Sequence, residues 1–396
     1  MNKISIDELE LKGKRVFIRV DFNVPLDEVM RVTDETRIVA SLPTIRYAMD
    51  QGAGVILASH FGRPGGKVDP RYSLRPVAEA LTRLLKKEVI LAEDCVGRKV
   101  EVLIESMKGG DVILLENLRF HKEEEENEVL FSYELSRLAD VYVNDAFGTA
   151  HRAHASTHGI TKHGKVAAAG FLMKKEIEYL GKAISDPRRP FIAILGGAKV
   201  SDKIGIINHL LDKVTSLLIG GGMAYTFLKV QGIDVGKSLV EEEKLDVARQ
   251  ILENAQDRRI RLLLPIDHVI AERLDPHAKT KLVRNGQEFG DWLGLDIGPE
   301  TVKFFSGEIR RARTIIWNGP MGVFEMEPFS HGTVEICKAV SESEALTIIG
   351  GGDTAAAVNQ AGLAEAMSHI STGGGASLEF LEGKELPGVA ALTDKS

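Results

Sequence analysis

Arginine recurs where the chain leaves short apolar runs in its first half. The segments read Asp21-Phe22-Asn23, Ser59-His60-Phe61-Gly62-Arg63, Glu116-Asn117-Leu118-Arg119-Phe120-His121 and the stretch from Asn144 to Arg152, with Arg37 following the first. A guanidinium presents a planar fork of donors that binds phosphate or carboxylate oxygens in pairs. One such arginine would be an ordinary surface residue paired with Glu or Asp; several at equivalent places point to an anion site. In the second half glycine takes those places. The runs are Leu195-Gly196-Gly197-Ala198-Lys199-Val200-Ser201-Asp202-Lys203, Ile219-Gly220-Gly221-Gly222, Asn318-Gly319-Pro320, Ile349-Gly350-Gly351-Gly352-Asp353-Thr354 and Ser371-Thr372-Gly373-Gly374-Gly375. Glycine lets backbone N–H groups approach a phosphate, and a helix starting directly afterwards adds its N-terminal dipole. Tight turns also need glycine, yet three separate triple-glycine runs exceed that need. A polyphosphate site is the better reading. Asp353-Thr354 could hold Mg²⁺, which takes a carboxylate plus phosphate oxygens; equally, Asp353 could be a helix N-cap.

The elements that must position these residues are short strands. Apolar runs at 15–20, 55–58, 89–91, 112–115 and 141–143 are followed by a second series at 191–195, 217–219, 262–264, 314–317 and 346–349. Each is rich in β-branched residues or Leu and apolar on both faces, as buried parallel strands are. Helix-like segments at 74–87, 132–139 and 203–214 lie between them, which predicts an α/β protein with parallel sheets. Ligands of such sheets bind at the carboxyl ends of strands, where the arginines and glycines fall. An amphipathic helix over 173–184, broken by Pro187 and Pro190, separates the two series and marks the expected domain boundary. The acidic run 123–126 reads as a solvated loop or helix start.

Three decoys fail on context. Gly232-Ile233-Asp234-Val235-Gly236-Lys237-Ser238 is one residue short of a Walker A loop and follows a helix-like segment rather than a strand. Gly350, Gly352 and Ala355 fit a loose dinucleotide fingerprint, but no acidic residue ends a strand about twenty residues on. His151, His154 and His158 lack the companion ligands of a zinc site and have Arg152 among them.

Composition bounds the rest. At 396 residues the chain has room for about two or three domains. Its net charge of −7 argues against holding nucleic acid or anionic membrane by charge alone. Cys95 and Cys337 are the only cysteines, so there is no disulfide framework. Neither an apolar leader nor a run of the ~20 residues a membrane helix needs is visible. A soluble cytoplasmic protein is expected.

Taken in order, the segments at 20–25, 59–64, 116–120, 144–154, 195–203, 219–225, 294–299, 317–325, 350–354 and 371–378 make the chain resemble the phosphoglycerate kinases over essentially its whole length. Departures are minor: Phe61 where the family often has Leu, Ser201 where Ala is frequent, and Met326 where some members have Trp. The resemblance implies two Rossmann-like lobes, each a parallel β-sheet flanked by helices, joined by a helix and hinge. Residues 1–170 would bind 3-phosphoglycerate, 171–185 would form the interdomain helix, 186–381 would bind nucleotide, and 382–396 would return to the first lobe. Asp21, Asn23, Arg37, His60, Gly62, Arg63, Arg119 and Arg152 would hold 3-phosphoglycerate. Lys199 and Lys203 would take the nucleotide phosphates, with Asn318, Gly351, Gly352 and Thr354 beside them. The resemblance places adenine against Gly220, Gly221, Gly294 and Leu295, ribose at Glu325, and Mg²⁺ on Asp353. Arg37, Lys199, Lys203, Gly374 and Gly375 would act on the transferred phosphoryl group.

The implied reaction is reversible transfer between 1,3-bisphosphoglycerate and ADP, giving 3-phosphoglycerate and ATP in glycolysis. The partners are small molecules, the family is usually monomeric, and hinge closure of the lobes is part of the implied mechanism. Two other readings leave residues without work. A dehydrogenase would not need Lys199, Lys203 and the arginine set, and a non-catalytic relative would be expected to have lost a lysine, Arg37 or Asp353.

Overall fold

A computed structural model describes residues 2–395 of the chain. It divides into two compact units, one comprising the residues up to Glu178 with those from Glu385 on, the other Tyr179–Lys384. In the first, strands β1 (Arg15–Arg19), β2 (Gly54–Ala58), β3 (Val89–Leu91), β4 (Val112–Leu114), β5 (Val141–Asn144) and β6 (Ala167–Ala169) form one sheet in the order β3-β4-β2-β1-β5-β6. Every pairing is parallel. The chain runs outward from β1 to the β3 edge and then returns beside β1 at β5, so the switch point lies between β1 and β5.

Burial on both faces explains the unbroken apolar runs. Val16, Ile18, Val55, Leu57, Val112 and Leu114 share one core cluster with Ile38, Ile45, Val77 and Leu81 from the covering helices. The helix Arg75–Leu85 illustrates the local logic: Pro76 opens it, Val77, Ala78 and Leu81 are buried, and Lys86 caps it in the left-handed region. From the tail, Gly388 N–H donates to Ala150 (2.8 Å) while Ile4 N–H donates to Thr393 (2.9 Å), all within this unit.

The second unit repeats the plan. Strands β7 (Phe191–Leu195), β8 (Ser216–Ile219) and β9 (Arg261–Leu263) are followed by a small antiparallel sheet of β10 (Asp267–Ala271), β11 (Thr280–Arg284) and β12 (Leu293–Ile297). β13 (Thr314–Asn318), β14 (Leu346–Gly350) and β15 (His369–Ile370) then complete a parallel sheet ordered β15-β14-β13-β7-β8-β9. Its switch point lies between β7 and β13. Ile192, Ile194, Ile315, Trp317 and Ile349 fill its core against Phe305, Ile309 and Ile336.

The sequence expectation of an α/β protein with parallel sheets holds, and the ten expected strands are present within a residue or two. The antiparallel sheet, β6 and β15 were not anticipated. Thr280–Arg284 is largely exposed and Ala167–Ala169 lacks β-branched residues, so neither carries the pattern of a buried strand. The helix expected over 132–139 spans Val129–Arg137, because the Glu128 carboxylate accepts from Leu130 N (2.9 Å) and Phe131 N (2.6 Å) and starts it earlier. The acidic run is not wholly solvated either. Glu124 is fully buried and accepts from Ser156 N (2.9 Å) and Ser156 Oγ (2.6 Å).

Asp145, just past β5, joins sheet to helix. Its Oδ1 accepts from Leu172 N (2.9 Å) and Met173 N (3.2 Å), capping the helix Phe171–Ser185. Burial pushes its carboxyl up to about 6, against the lowering effect of Thr44 and those two N–H groups. The folded chain thus keeps this proton to higher pH than the unfolded chain, whose carboxyl releases it near ~3.9. The associated stability is complete below that value and lost as pH rises through about 6. Urea unfolding of wild type and Asp145→Asn should show a stability difference that declines over this window and is level above it. A difference that is level throughout would mean that the carboxyl stays ionised in the folded chain.

Candidate active site

In the first unit the arginine-bearing segments meet at the carboxyl ends of β1, β2, β4 and β5. Arg37, in the first turn of the helix Thr36–Asp50, places Nη1 2.9 Å from Asp21 Oδ2. Asn23 Oδ1 accepts from Gly62 N (2.9 Å), and Arg119 Nη1 donates to Gly62 O (2.8 Å). Asn117 fixes this loop, accepting from Phe61 N and Arg119 N and donating to Phe61 O (2.7 Å) and Tyr72 O (2.9 Å). Arg119 is 5% exposed, reaches Glu125 at 3.2 Å, and its Nε has no partner among the described residues. Arg63 and Arg152 are exposed, so their charges face solvent.

Behind these residues lies a polar layer of which sequence reasoning named His60 but missed Arg19, Ser156 and Glu124. Arg19, fully buried on β1, donates from Nε to Ser156 Oγ (2.8 Å) and has Nη2 3.4 Å from His60 Nδ1. Ser156 in turn donates to Glu124, which balances the guanidinium. Desolvation, then the charges of Arg19 and Arg119, hold His60 well below its ordinary range. The same causes take His154 down to about 3. Arg19 sits inside an apolar strand, so only the switch between face-buried hydrophobes and one arginine could have signalled it.

The imagined zinc cluster at His151, His154 and His158 does not form. Among the described residues the one group of three possible ligands is Asp94, Cys95 and His121. There His121 Nε2 and Asp94 Oδ1 already close on each other at 2.7 Å. Two ligands on a zinc ion with ~2.0–2.1 Å bonds stand about 3.3 Å apart. This is a hydrogen-bonded brace between two loops.

In the second unit the glycine runs surround a cavity of about 550 Å³. Of the expected residues, Gly221, Gly294, Leu295, Glu325 and Asp353 line it. Gly220 lies just beneath, against Met321. At the switch point a Cβ on Gly319, whose φ is +98°, would stand on Gly196 O. Gly319 N–H donates to Thr354 Oγ1 at 2.7 Å. Lys203 Nζ is bonded to Asn318 Oδ1, and burial lowers its pKa against the raising charges of Asp202, Asp353 and Glu382. Lys199 is exposed and does not line the cavity. Gly374 and Gly375 open the helix Gly375–Leu381 beyond β15, also outside the cavity lining.

Asp353 is not the cap of its helix. Gly351 holds that position at φ +88°, with Gly352 exposed beside it and Asp353 exposed in the first turn. The rejected loop also contributes: it follows the helix Met223–Val230, as its context suggested, yet Lys237 lines the cavity. Leu239, Leu274, Leu293 and Val323 line it too. None carried a sequence signal, because apolar cavity walls look like any core residue.

A cavity walled by backbone and apolar side chains, with a lysine, two carboxylates and glycine-led helix starts at its edge, suits a nucleotide. The phosphoglycerate kinase family model matches residues 6–384. The chain belongs to this family. Relatives named phosphoglycerate kinase include that of Clostridium botulinum, 56% identical over 100% of this chain and 99% of its own length. That of Anaeromyxobacter dehalogenans is 60% identical over 98% of this chain and 99% of its own. The solved phosphoglycerate kinase of Coxiella burnetii superposes with a TM-score of 0.92 at 43% identity, covering 98% of both chains. The Pyrococcus horikoshii enzyme gives 0.83 at 35% identity with the same coverage.

Gly351 tests how tightly this site is built. A Cβ there would stand 2.9 Å from Asn318 Nδ2, a buried group without a partner among the described residues, and would need a left-handed backbone. Gly351→Ala should therefore lower the unfolding free energy by about 1–2 kcal/mol in guanidinium titrations. An unchanged midpoint and slope would show that the loop relaxes freely.

Proposed function

We propose that this chain catalyses reversible phosphoryl transfer between 1,3-bisphosphoglycerate and ADP, giving 3-phosphoglycerate and ATP, as a cytoplasmic glycolytic enzyme active as a monomer. One observation carries the reading: a chain of this family has arginines at the strand ends of one parallel sheet and a glycine-walled cavity at those of the other.

Under this reading 3-phosphoglycerate is held by Asp21, Asn23, Arg37, His60, Gly62, Arg63, Arg119 and Arg152. The partnerless Nε of Arg119 supplies a buried donor for one of its oxygens. Nucleotide occupies the cavity, with adenine at Gly220, Gly221, Gly294 and Leu295 and ribose at Glu325. Its phosphates lie toward Lys199, Lys203, Asn318, Gly351, Gly352 and Thr354. The donor set fits Mg²⁺: the exposed carboxylate of Asp353 stands at the cavity edge beside the helix start, Glu325 being the other carboxylate of the lining, and phosphate oxygens would complete the coordination. Bound there, the ion would neutralise phosphate charge.

The chemistry asks little of the protein as an acid or base. The attacking group in the ATP-consuming direction is a carboxylate, ionised at neutral pH with an ordinary pKa near ~4. It carries no proton to remove. What the phosphoryl group needs is fixed positive charge and exclusion of water. Arg37 and Lys203 supply that charge, aided by Lys199 and by backbone N–H groups around Gly374 and Gly375.

Purified protein with ATP, 3-phosphoglycerate and Mg²⁺ should form ADP in a coupled assay, and absence of turnover would refute the assignment. Arg37→Ala should lower kcat by a factor on the order of 10³–10⁵, because the charge it offers matters most in the transition state. Arg63→Ala should act mainly through KM for 3-phosphoglycerate. An Arg37→Ala enzyme of near-normal kcat at saturation would transfer that role to Lys203. Asp353→Ala should weaken Mg²⁺-nucleotide binding in calorimetry while leaving 3-phosphoglycerate affinity intact; equal loss of both would contradict the division of labour.

A further inference from the structure

Behind the cavity wall formed by Gly294 runs a line of buried polar groups to which the proposed function gives no role. Tyr225, on the helix Met223–Val230, is 3% exposed, and its Oη lies 3.3 Å from His268 Nδ1. His268, fully buried on β10, places Nε2 2.8 Å from Asn285 Oδ1. Asn285 Nδ2 donates to Pro265 O at 2.9 Å. Only one assignment satisfies every group: Tyr225 donates to His268, His268 to Asn285, and Asn285 to the backbone. Burial keeps the imidazole uncharged, overriding the raising effects of Asn285 and Asp267. Phe289 closes the line from the side, its ring edge-on to both Tyr225 (6.3 Å) and His268 (5.3 Å).

The line ends on Gly294. A Cβ added to Gly294 would sit on the Tyr225 hydroxyl and the ring carbon that bears it. The cavity lies on the other side of the same residue, so the phenol backs the wall without lining it. β12 needs this backing. It is an edge strand paired only with β10, and the pairing slips between Val269 and Ile270, so that Leu295 has no partner across the strand and faces the cavity. Its other anchors near this point are Ser238 Oγ, which accepts from Gly294 N at 2.9 Å, and Val323 N–H, which donates to Leu295 O at 3.0 Å.

We propose that Tyr225, oriented by His268 and Asn285, is a positioning residue for the nucleotide, holding Gly294 and the bulged Leu295 at the depth that fits the base. The inference rests on the placement of the base in this cavity. It gives the buried hydroxyl a function that apolar packing could not supply, since Phe would fill the same volume without being drawn toward His268.

The test is calorimetric binding of ADP and of 3-phosphoglycerate to four forms of the full chain. Tyr225→Phe removes one hydroxyl and leaves His268 Nδ1 without a donor. ADP affinity should fall about tenfold, the equivalent of one buried hydrogen bond, with 3-phosphoglycerate affinity unchanged and kcat at saturating ADP within about twofold of wild type. Tyr142→Phe is the control for a purely structural loss. Its hydroxyl is equally buried, donates to Ser156 O at 2.8 Å, and lies in the first unit. It should lower the unfolding midpoint without moving ADP affinity. Leu295→Trp, which fills the cavity from its wall, tests the placement itself. If Leu295→Trp abolishes ADP binding while Tyr225→Phe binds ADP as wild type does, the positioning role is overturned and the cavity stands. Unaltered ADP affinity in Leu295→Trp overturns both. Equal loss of ADP and 3-phosphoglycerate affinity in Tyr225→Phe would mean general loosening and would also overturn the proposal.

Discussion

At the switch point of the second sheet two strand ends meet with no room for a side chain. Gly196 N–H donates to Asn318 O at 3.0 Å, and a Cβ on Gly319 would stand on Gly196 O. Gly221, at φ +65°, is pressed in the same way against Gly197. This backbone-to-backbone packing leaves the N–H groups and helix starts beyond β7, β8, β13 and β14 open around one cavity. Side chains larger than hydrogen at these glycines would collide with the neighbouring backbone and force the strand ends apart. Glycine here is therefore a packing residue first, and the open N–H groups that would suit a phosphate follow from that packing.

The first sheet meets the same topological requirement with charge. Its strand ends carry arginines, and a sheet that buries a guanidinium on β1 must balance it. Glu124 does so, reached through Ser156. An unpaired buried charge would cost several kcal/mol, whereas a paired and fully hydrogen-bonded one fixes geometry at a modest net cost. The visible arginines, Arg37, Arg63 and Arg152, are thus the outer part of a two-layer arrangement. The inner layer, Arg19 with Glu124, His154 and His60, sets the field in which they stand.

Much of this was legible in the sequence because it rests on local rules. Buried parallel strands require apolar runs, and ligand-facing residues follow those runs, so both series of strands and their polar ends could be read directly. The antiparallel sheet could not: Thr280–Arg284 is exposed, and the strand that walls the cavity, Leu293–Ile297, is interrupted by Gly294 and Asp296. Apolar cavity-lining residues such as Leu239 and Val323 were equally hidden, since a wall that faces a ligand has the same composition as a wall that faces a core. Glu124 misled for a related reason. Four consecutive glutamates look solvated, and only the fold shows that the second points inward to Ser156.

The histidines make the electrostatic logic plain. Several stand near the strand ends of the first sheet, where charging them would add to the positive field of the arginines. Burial beside Arg19 and Arg119 does the opposite, holding His60 well below its ordinary range and His154 near 3. Both are then neutral wherever the protein is folded at moderate pH, and act as hydrogen-bonding groups. The positive charge at these strand ends comes from guanidinium groups, which do not lose their protons at any such pH. A reaction whose nucleophile is already a carboxylate has no use for a titrating base. It asks instead for positive charge that is steady with pH, and on the first sheet arginines beside neutral imidazoles are suited to give it.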